Sequence, residues 1–329
     1  MTSGASPWTL ASGQCGVEGP CAGPSGWLLN VCSLDRADRP DWPTRGGDVT
    51  GTRFDRPGQS TVLFATAGIP VALAFGPDGA LYVTDEGRRA IVRVAADGEP
   101  TDVITHWQGE RINGPNDLAF DADGNLYFSD PWLSSPRNPI GAVYGHDAET
   151  GELHQLDRDM WFPNGVVVSD DTLLVAETFR RTIWAYELRG NGRATSKRRF
   201  AELPDAPDAP RLPAADQARL GVDHLCGPDG MALDATGHVY VAHFGSGSVY
   251  VLDPRGALVD RLAVPGQSPT NVCFAGPRHD QLVVTVDDTG EVVVLDGVAT
   301  GRRLPFCPTV VSDHPWAARL DQPAAGGPS

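Results

Sequence analysis

The chain has 329 residues and a formal net charge of −16. That charge argues against nucleic acid and anionic membrane surfaces as partners, because both are polyanions. No stretch is long and apolar enough to span a bilayer, and residues 1–10 are too polar for a secretion signal, so a cytoplasmic protein is predicted. Six cysteines without a CxxC spacing fit reduced thiols in that compartment.

Six similar segments follow a short apolar stretch at residues 8–11. Each has a first apolar run, a Gly-bearing turn and a second apolar run, which is the pattern of a β-hairpin. Five of them open on a proline, and the first is a diverged copy that opens on Val17. The residue after each opening position is called here a marker residue; in chain order the markers are Glu18, Val71, Asn116, Asn164, Asp229 and Thr270. They lie 53, 45, 48, 65 and 41 residues apart.

Repeats of this length, built from short strands, are typical of a β-propeller with about four strands per blade. The six copies therefore predict an all-β protein, a six-bladed β-propeller of antiparallel strands that forms a single domain over residues 1–329. The propeller is expected over about residues 8–310, with 1–6 and 312–329 flexible. The segment 8–11 is expected to complete the last blade and close the ring, with residues 303–306 as its rival.

One face of the propeller is expected to bear the functional groups. In a hairpin the second strand returns to the level at which the first began, so its last residue lies on the same face as the marker. The long connection 204–225 also reaches Asp229 on that face, whereas the other long connection, 33–47, follows the first hairpin. Loops on a rigid scaffold commonly carry binding residues. The candidate substrate contacts are Asn116, Asp130, Trp132, Glu177, His224 and His243.

The innermost strand of each blade lines the central channel, so the markers form a ring. Four of them carry a carboxylate or an amide oxygen: Glu18, Asn116, Asn164 and Asp229. Two carboxylates in a narrow channel raise each other's pKa unless a cation lies between them. This oxygen-only set favours Ca²⁺, with Mg²⁺ or Mn²⁺ as alternatives and Zn²⁺ least favoured because the ring has no His or Cys. Such a cation can activate water for ester hydrolysis, with Asp229 or Asp130 as general base.

Simpler interpretations exist for each candidate. Pro-Asn-Gly and Pro-Asp-Gly are ordinary turn sequences, although four motifs in register favour a metal site. His224 and His243 could equally be rim histidines bonded to the backbone, and Trp132 could fill space between blades.

The four motifs together resemble those of a known family. They are Glu18-Gly19-Pro20, residues 113–117, Pro163-Asn164-Gly165 and Pro228-Asp229-Gly230, in that order. They are similar to those of the senescence-marker-protein/gluconolactonase/regucalcin-like family, in its bacterial branch, over residues 8–296. The resemblance implies a six-bladed propeller with one axial divalent ion held by Glu18, Asn164 and Asp229. It also implies that Asn116 is a ligand or substrate contact and that Asp229 is the base of a lactonase.

The predicted function is a metal-dependent hydrolase that acts on a small lactone or related ester. One alternative uses the same metal for organophosphate hydrolysis, or for a cyclisation or isomerisation step in a biosynthetic pathway. A second alternative is a non-catalytic propeller that binds a ligand or protein around a structural metal. The sequence does not indicate an oligomeric state.

Overall fold

The structure is a computed structural model that describes residues 6–35, 44–308 and 314–321. Six four-stranded antiparallel sheets form the blades of a β-propeller, which confirms the predicted fold class.

The strands follow one another in chain order within each blade, except that the first strand belongs to the last blade. Blade 1 contains β2 (Val17–Ala22), β3 (Trp27–Cys32), β4 (Asp48–Arg53) and β5 (Ser60–Ala65). Blade 2 contains β6 (Pro70–Phe75), β7 (Leu81–Asp85), β8 (Ala90–Val94) and β9 (Thr101–Ile104). Blade 3 contains β12 (Leu118–Phe120), β13 (Leu126–Asp130), β14 (Gly141–His146) and β15 (Leu153–Met160). Blade 4 contains β16 (Pro163–Ser169), β17 (Thr172–Glu177), β18 (Thr182–Gly190) and β19 (Arg193–Glu202).

The remaining elements complete the ring and its connections. Blade 5 contains β20 (Gly227–Leu233), β21 (Val239–Phe244), β22 (Ser248–Leu252) and β23 (Leu258–Ala263). Blade 6 contains β24 (Pro269–Ala275), β25 (Gln281–Val286), β26 (Glu291–Asp296) and β1 (Trp8–Ala11). A small hairpin, β10 (His106–Trp107) and β11 (Glu110–Arg111), links blades 2 and 3. Two short helices are α1 (Ala214–Leu220) and α2 (Pro315–Leu320), and neither could cross a membrane.

The amino-terminal strand closes the ring, as the sequence predicts. β1 pairs antiparallel with β26, with Trp8 opposite Val294. The Trp8 Nε1 donates to Asp296 Oδ2 at 2.8 Å, which fixes the register. The rival segment, residues 303–306, is not part of a strand. Closure pairs a sheet edge that would otherwise be open to other chains.

The hydrophobic core lies between adjacent blades. Every residue of β3 and of β13 is buried, whereas β23, at the outer edge of blade 5, is almost entirely exposed. The inner strands therefore face neighbouring blades on both sides, and this rigid ring holds the residues at the channel mouth.

Glycines next to the markers let the inner strands approach one another. A Cβ on Gly165 would lie 2.2 Å from the backbone oxygen of Asp229, and one on Gly230 would lie 2.0 Å from the Asn271 side chain. A Cβ on Gly19, whose φ is +52°, would lie 2.5 Å from the backbone oxygen of Val71. Since no side chain fits in these gaps, the channel is narrow at the level of the markers.

The carboxyl-terminal segment differs from the prediction that residues 312–329 are flexible. Residues 315–320 form α2, and the Trp316 side chain is fully buried. Its ring lies 6.1 Å from those of both Phe64 and Phe75, between blades 1 and 2. The prediction is wrong for residues 314–321 because one large apolar side chain outweighs the Ala- and Pro-rich composition around it. The structure does not describe four ranges: residues 1–5, 36–43, 309–313 and 322–329. The range 36–43 belongs to the connection 33–47.

Candidate active site

The structure gathers the four markers that carry a carboxylate or an amide oxygen at one end of the channel. Asn164 and Asp229 lie at the second and third positions of β16 and β20, and Asn116 lies just before β12. All three are buried, and Glu18 of β2 is half-buried. The Asp229 carboxyl lies within hydrogen-bonding reach of the Asn164 amide, and the charge of Glu18 raises the pKa of Asp229. Side chains from blades 1, 4 and 5 thus interact with one another, while the Asn116 amide of blade 3 is bonded to Glu86.

A third carboxylate, that of Asp117, belongs to this group. The sequence analysis did not predict it as a site residue. Its Oδ2 accepts the backbone N–H of Val166 at 2.8 Å, which ties blade 3 to blade 4. Its charge acts on both Glu18 and Asp229. Its position directly after Asn116, in the motif at residues 113–117, could have identified it. We call Glu18, Asn116, Asp117, Asn164 and Asp229 the axial site.

The electrostatics of the axial site favour a bound cation. Burial is the main cause that raises the pKa of all three carboxyls, to about 7 for Asp117. The charge of Asp117 raises the pKa of Glu18 further, and the charges of Glu18 and Asp117 raise that of Asp229. A divalent cation between these carboxylates would offset the free-energy cost of burying them and the repulsion between their charges. Carboxylate and amide oxygens are the ligands of a hard cation such as Ca²⁺. The residues present therefore fit an axial divalent ion.

Calcium should stabilise the protein more at pH 8 than at pH 5. A carboxyl whose pKa is raised by folding holds its proton more tightly in the folded chain. Its contribution to metal-free stability is therefore greatest below about pH 4 and, for Asp117, is lost as the pH rises through about 7. A cation replaces those protons, and at 100-fold excess over its Kd it adds about 2.7 kcal/mol. Thermal unfolding with calcium or with chelator measures the difference. An equal calcium effect at both pH values would contradict it.

Asn116 is positioned from outside the channel by Glu86. The Asn116 Nδ2 donates to Glu86 Oε1 at 3.2 Å, and its backbone oxygen accepts from Thr84 Oγ1 at 2.5 Å. Glu86 is buried, and burial, with the charges of Asp85 and Asp130, raises its pKa to about 8. At neutral pH this carboxyl therefore keeps its proton and adds no charge. The sequence analysis did not predict Glu86, because it considered the last residue of the second strand of each blade. In blade 2 that residue is Asp85, and Glu86 follows it.

Asp130 and Glu177 do not face the channel, which differs from the predicted substrate contacts. Asp130 is fully buried, and its two oxygens accept the backbone N–H groups of Asn113 and Gly114 at 2.8 and 2.6 Å. Glu177 accepts from the Trp161 backbone at 2.6 Å, and from the side chains of Arg180 and Trp184. Each carboxylate holds the loop that enters the inner strand of its own blade, because those loop N–H groups have no ladder partner. The same geometry argues against Asp130 as general base.

The remaining predicted contacts lie at different depths. His243 is fully buried, stacks on Tyr250 at 4.3 Å, and bonds the Pro204 oxygen through Nε2 at 3.1 Å. Burial lowers its pKa to about 4, so it is a neutral structural residue rather than the predicted substrate contact. His224 lies on the connection 204–225, between two carboxylates. Trp132 is partly exposed and packs on Gly114, beside the axial site.

Beneath the carboxylates the channel becomes apolar. A cavity of about 120 Å³ is lined by inner-strand side chains, with Asp117 and Asn271 at its polar end. Arg302, Leu304 and Cys307 line it from the segment that follows blade 6. Polar chemistry in the channel is thus concentrated at the level of the axial site.

Comparison with known proteins places these residues in a family. The model of the SMP-30/gluconolactonase/LRE-like region matches residues 48–287, which include Asn116, Asn164 and Asp229. A gluconolactonase from Zymomonas mobilis is 30% identical over 230 residues, 64% of this chain and 58% of that protein. The chain thus spans little more than half the length of that relative.

Two further proteins resemble this chain over a larger share of their own length. A diisopropyl-fluorophosphatase from Loligo vulgaris is 26% identical over 259 residues, 74% of this chain and 76% of that protein. The solved structure of a gluconolactonase from Xanthomonas campestris superposes with a TM-score of 0.69 at 26% identity, covering 88% of this chain and 89% of that one. The resemblance that the motifs indicate is confirmed: the chain belongs to the SMP-30/gluconolactonase/LRE-like family.

Proposed function

We propose that this protein is a divalent-metal-dependent hydrolase that opens lactones, with Ca²⁺ as its ion. The observation that carries the proposal is the convergence of three carboxylates, those of Asp117 and Asp229 buried and that of Glu18 half-buried, with two asparagine amides on the propeller axis. The relatives named as gluconolactonases support a sugar lactone as the substrate class.

Glu18, Asn164 and Asp229 would hold the ion, with Asn116 as a fourth ligand or a substrate contact. A bound divalent cation polarises an ester carbonyl and lowers the pKa of water, which supplies the chemistry of ring opening. The all-oxygen donor set favours Ca²⁺ over Zn²⁺. Asp117 adds negative charge while its own oxygens accept backbone N–H groups, so it strengthens the site without needing to ligate.

Asp229 is the proposed general base that takes a proton from the attacking water. Its place beside Asn164 and Glu18, where the ion would be held, suits this role, because a general base must lie within hydrogen-bond reach of the proton that it takes. Asn116, fixed by Glu86, presents its amide to the substrate, and Trp132 forms part of the wall above it.

Metal content and lactone hydrolysis, measured on one preparation, test this function. We expect about one Ca²⁺ per chain, acid release from a six-membered sugar lactone, loss of that activity with chelator, and recovery with calcium. If the ion is present and no lactone is opened, the metal site stands and the substrate class is wrong. Those results would favour a cyclisation, an isomerisation or a structural metal instead.

Organophosphate hydrolysis is a second candidate, favoured by the similarity to the diisopropyl-fluorophosphatase over 74% of this chain. The same axial ion and the same carboxylate would serve, because both reactions add an oxygen nucleophile to a polarised centre. Fluoride release from diisopropyl fluorophosphate by the same preparation separates the two. A rate of fluoride release far above the rate of lactone hydrolysis would make organophosphate hydrolysis the favoured function.

A further inference from the structure

We propose a second divalent-cation site, of the zinc type, formed by Asp205, His224 and Cys226 at the root of the connection 204–225. We call these three residues the rim cluster and that connection the rim loop. The proposal is independent of lactone hydrolysis. Its donors are one carboxylate oxygen, one imidazole nitrogen and one sulfur, a set that suits a borderline-soft ion and differs from the oxygen-only axial site.

The geometry of the rim cluster is close to that of a tetrahedral site. One ligand atom from each of the three residues lies within 4.8 Å of the other two. His224 Nε2 and Asp205 Oδ1 are 2.8 Å apart. Ligands of a tetrahedral zinc ion lie roughly 3.3–3.8 Å from one another, since metal–ligand distances are about 2.0–2.3 Å. Side-chain adjustments of about 1 Å would therefore seat the ion.

The hydrogen bonding of His224 leaves one ring nitrogen in a position to bind a metal. Its Nδ1 faces Asp223 Oδ1 at 2.9 Å, while Nε2 faces Asp205. A protonated ring donates to both carboxylates, whereas a neutral ring donates to only one of them. With Nδ1–H donated to Asp223, Nε2 is free to bind a cation shared with Asp205. This carboxylate–histidine–metal relay is the usual second layer of zinc sites.

Cys226 is placed as an acceptor and is almost fully buried. Its Sγ accepts the backbone N–H of Ala206 at 3.2 Å, and only 3% of the residue is exposed. Burial raises the pKa of the Cys226 thiol to about 12, so the thiolate that a metal requires would form together with metal binding, which releases the proton. Because Cys226 directly precedes β20 while Asp205 follows β19, an ion here would join the two ends of the rim loop.

A cavity of about 450 Å³ adjoins the rim cluster and leaves room for a fourth ligand. It is lined by all three cluster residues together with Arg137, Phe179 and Arg181. Arg181 Nη1 lies 3.8 Å from Asp205 Oδ1, so the surroundings are not purely acidic. Three protein ligands with an open fourth position suit a water or a small anion held near the two arginines.

Cobalt and zinc binding test the proposal in a background that lacks the axial site. The full-length Asp229→Asn variant is stripped of metal and titrated with Co²⁺, then with Zn²⁺ and Ca²⁺. We expect one Co²⁺ per chain with a near-ultraviolet thiolate-to-cobalt band, displaced by Zn²⁺ and not by Ca²⁺. Adding Cys226→Ala should remove the band, and adding Asp223→Asn should weaken zinc binding about 10- to 100-fold.

Matched controls are Cys32→Ala, a buried cysteine in blade 1, and Asp208→Asn, an exposed carboxylate on the rim loop. Both should keep the band and the zinc affinity. Should Cys226→Ala fail to fold, His224→Gln replaces it and should also abolish tight zinc binding. Cobalt binding without a thiolate band, a band that survives Cys226→Ala, or displacement by Ca²⁺ as readily as by Zn²⁺ would overturn the proposal.

Discussion

Replacing Asp229 by asparagine is expected to lower the rate of lactone hydrolysis by at least about 10²–10⁴-fold while the propeller stays folded. The substitution removes both the proposed base and one anionic ligand. Asparagine has nearly the same shape, so the contacts of this residue with Gly230 and Asn164 can persist. Removing a buried carboxyl from a repulsive group should also leave stability unchanged or raise it in the absence of metal. Initial rates, calcium content and thermal unfolding measure the three effects.

Asp130→Asn is the matched control for that variant. Asp130 is also a buried strand-end carboxylate, but its oxygens accept loop N–H groups instead of facing the channel. We expect it to lower stability, because charge-assisted hydrogen bonds are lost, and to leave the calcium stoichiometry intact. If Asp130→Asn lost the ion and Asp229→Asn kept it, the two roles would be reversed and the axial site would be wrong.

Trp316→Ala is expected to destabilise the protein by about 3–5 kcal/mol. The Trp316 side chain is fully buried and packs against Phe64 and Phe75, so its removal leaves a large cavity between blades 1 and 2. The rest of α2 contributes little that could replace it, since Leu320 is the helix's only other buried residue. Denaturant-induced unfolding measures the loss.

Trp132→Ala provides the comparison for the same loss of an indole at a partly exposed position on the rim. It should cost clearly less stability than Trp316→Ala, because less apolar surface is withdrawn from water. Equal costs for the two variants, or a cost below about 1 kcal/mol for Trp316→Ala, would show that α2 is not docked as described.

The fold could be predicted because the propeller repeats its strand signals, whereas the side chains at the axis could be predicted only in part. The spacing of the motifs located the strand starts and the closing strand correctly. Pairing is irregular where the inner strands begin, for example between Pro163 and Val166 and between Pro228 and Met231. Such bulges break the alternation of faces, so a neighbour such as Asp117 can act at the axis beside Asn116.

The strand-end carboxylates show a different limit of sequence reasoning. Their common position correctly indicated a common level in the fold. Pattern alone could not distinguish a carboxylate that faces the channel from one that satisfies loop N–H groups, as Asp130 and Glu177 do. The full ligand set of the axial site stays a prediction, as do the single domain and the cytoplasmic location.

The pairing of β1 with β26 also bears on how the protein is made. Trp8 and Asp296 are 288 positions apart in the chain, yet they hydrogen-bond in the finished sheet. On a ribosome, residues 8–11 emerge long before residues 291–296 and stay unpaired until that partner strand has been made. Blades 1–5 can collapse one after another in the meantime, because domains assemble as synthesis proceeds. The last blade alone depends on both ends, so an interrupted translation product would keep an open edge and be exposed to aggregation.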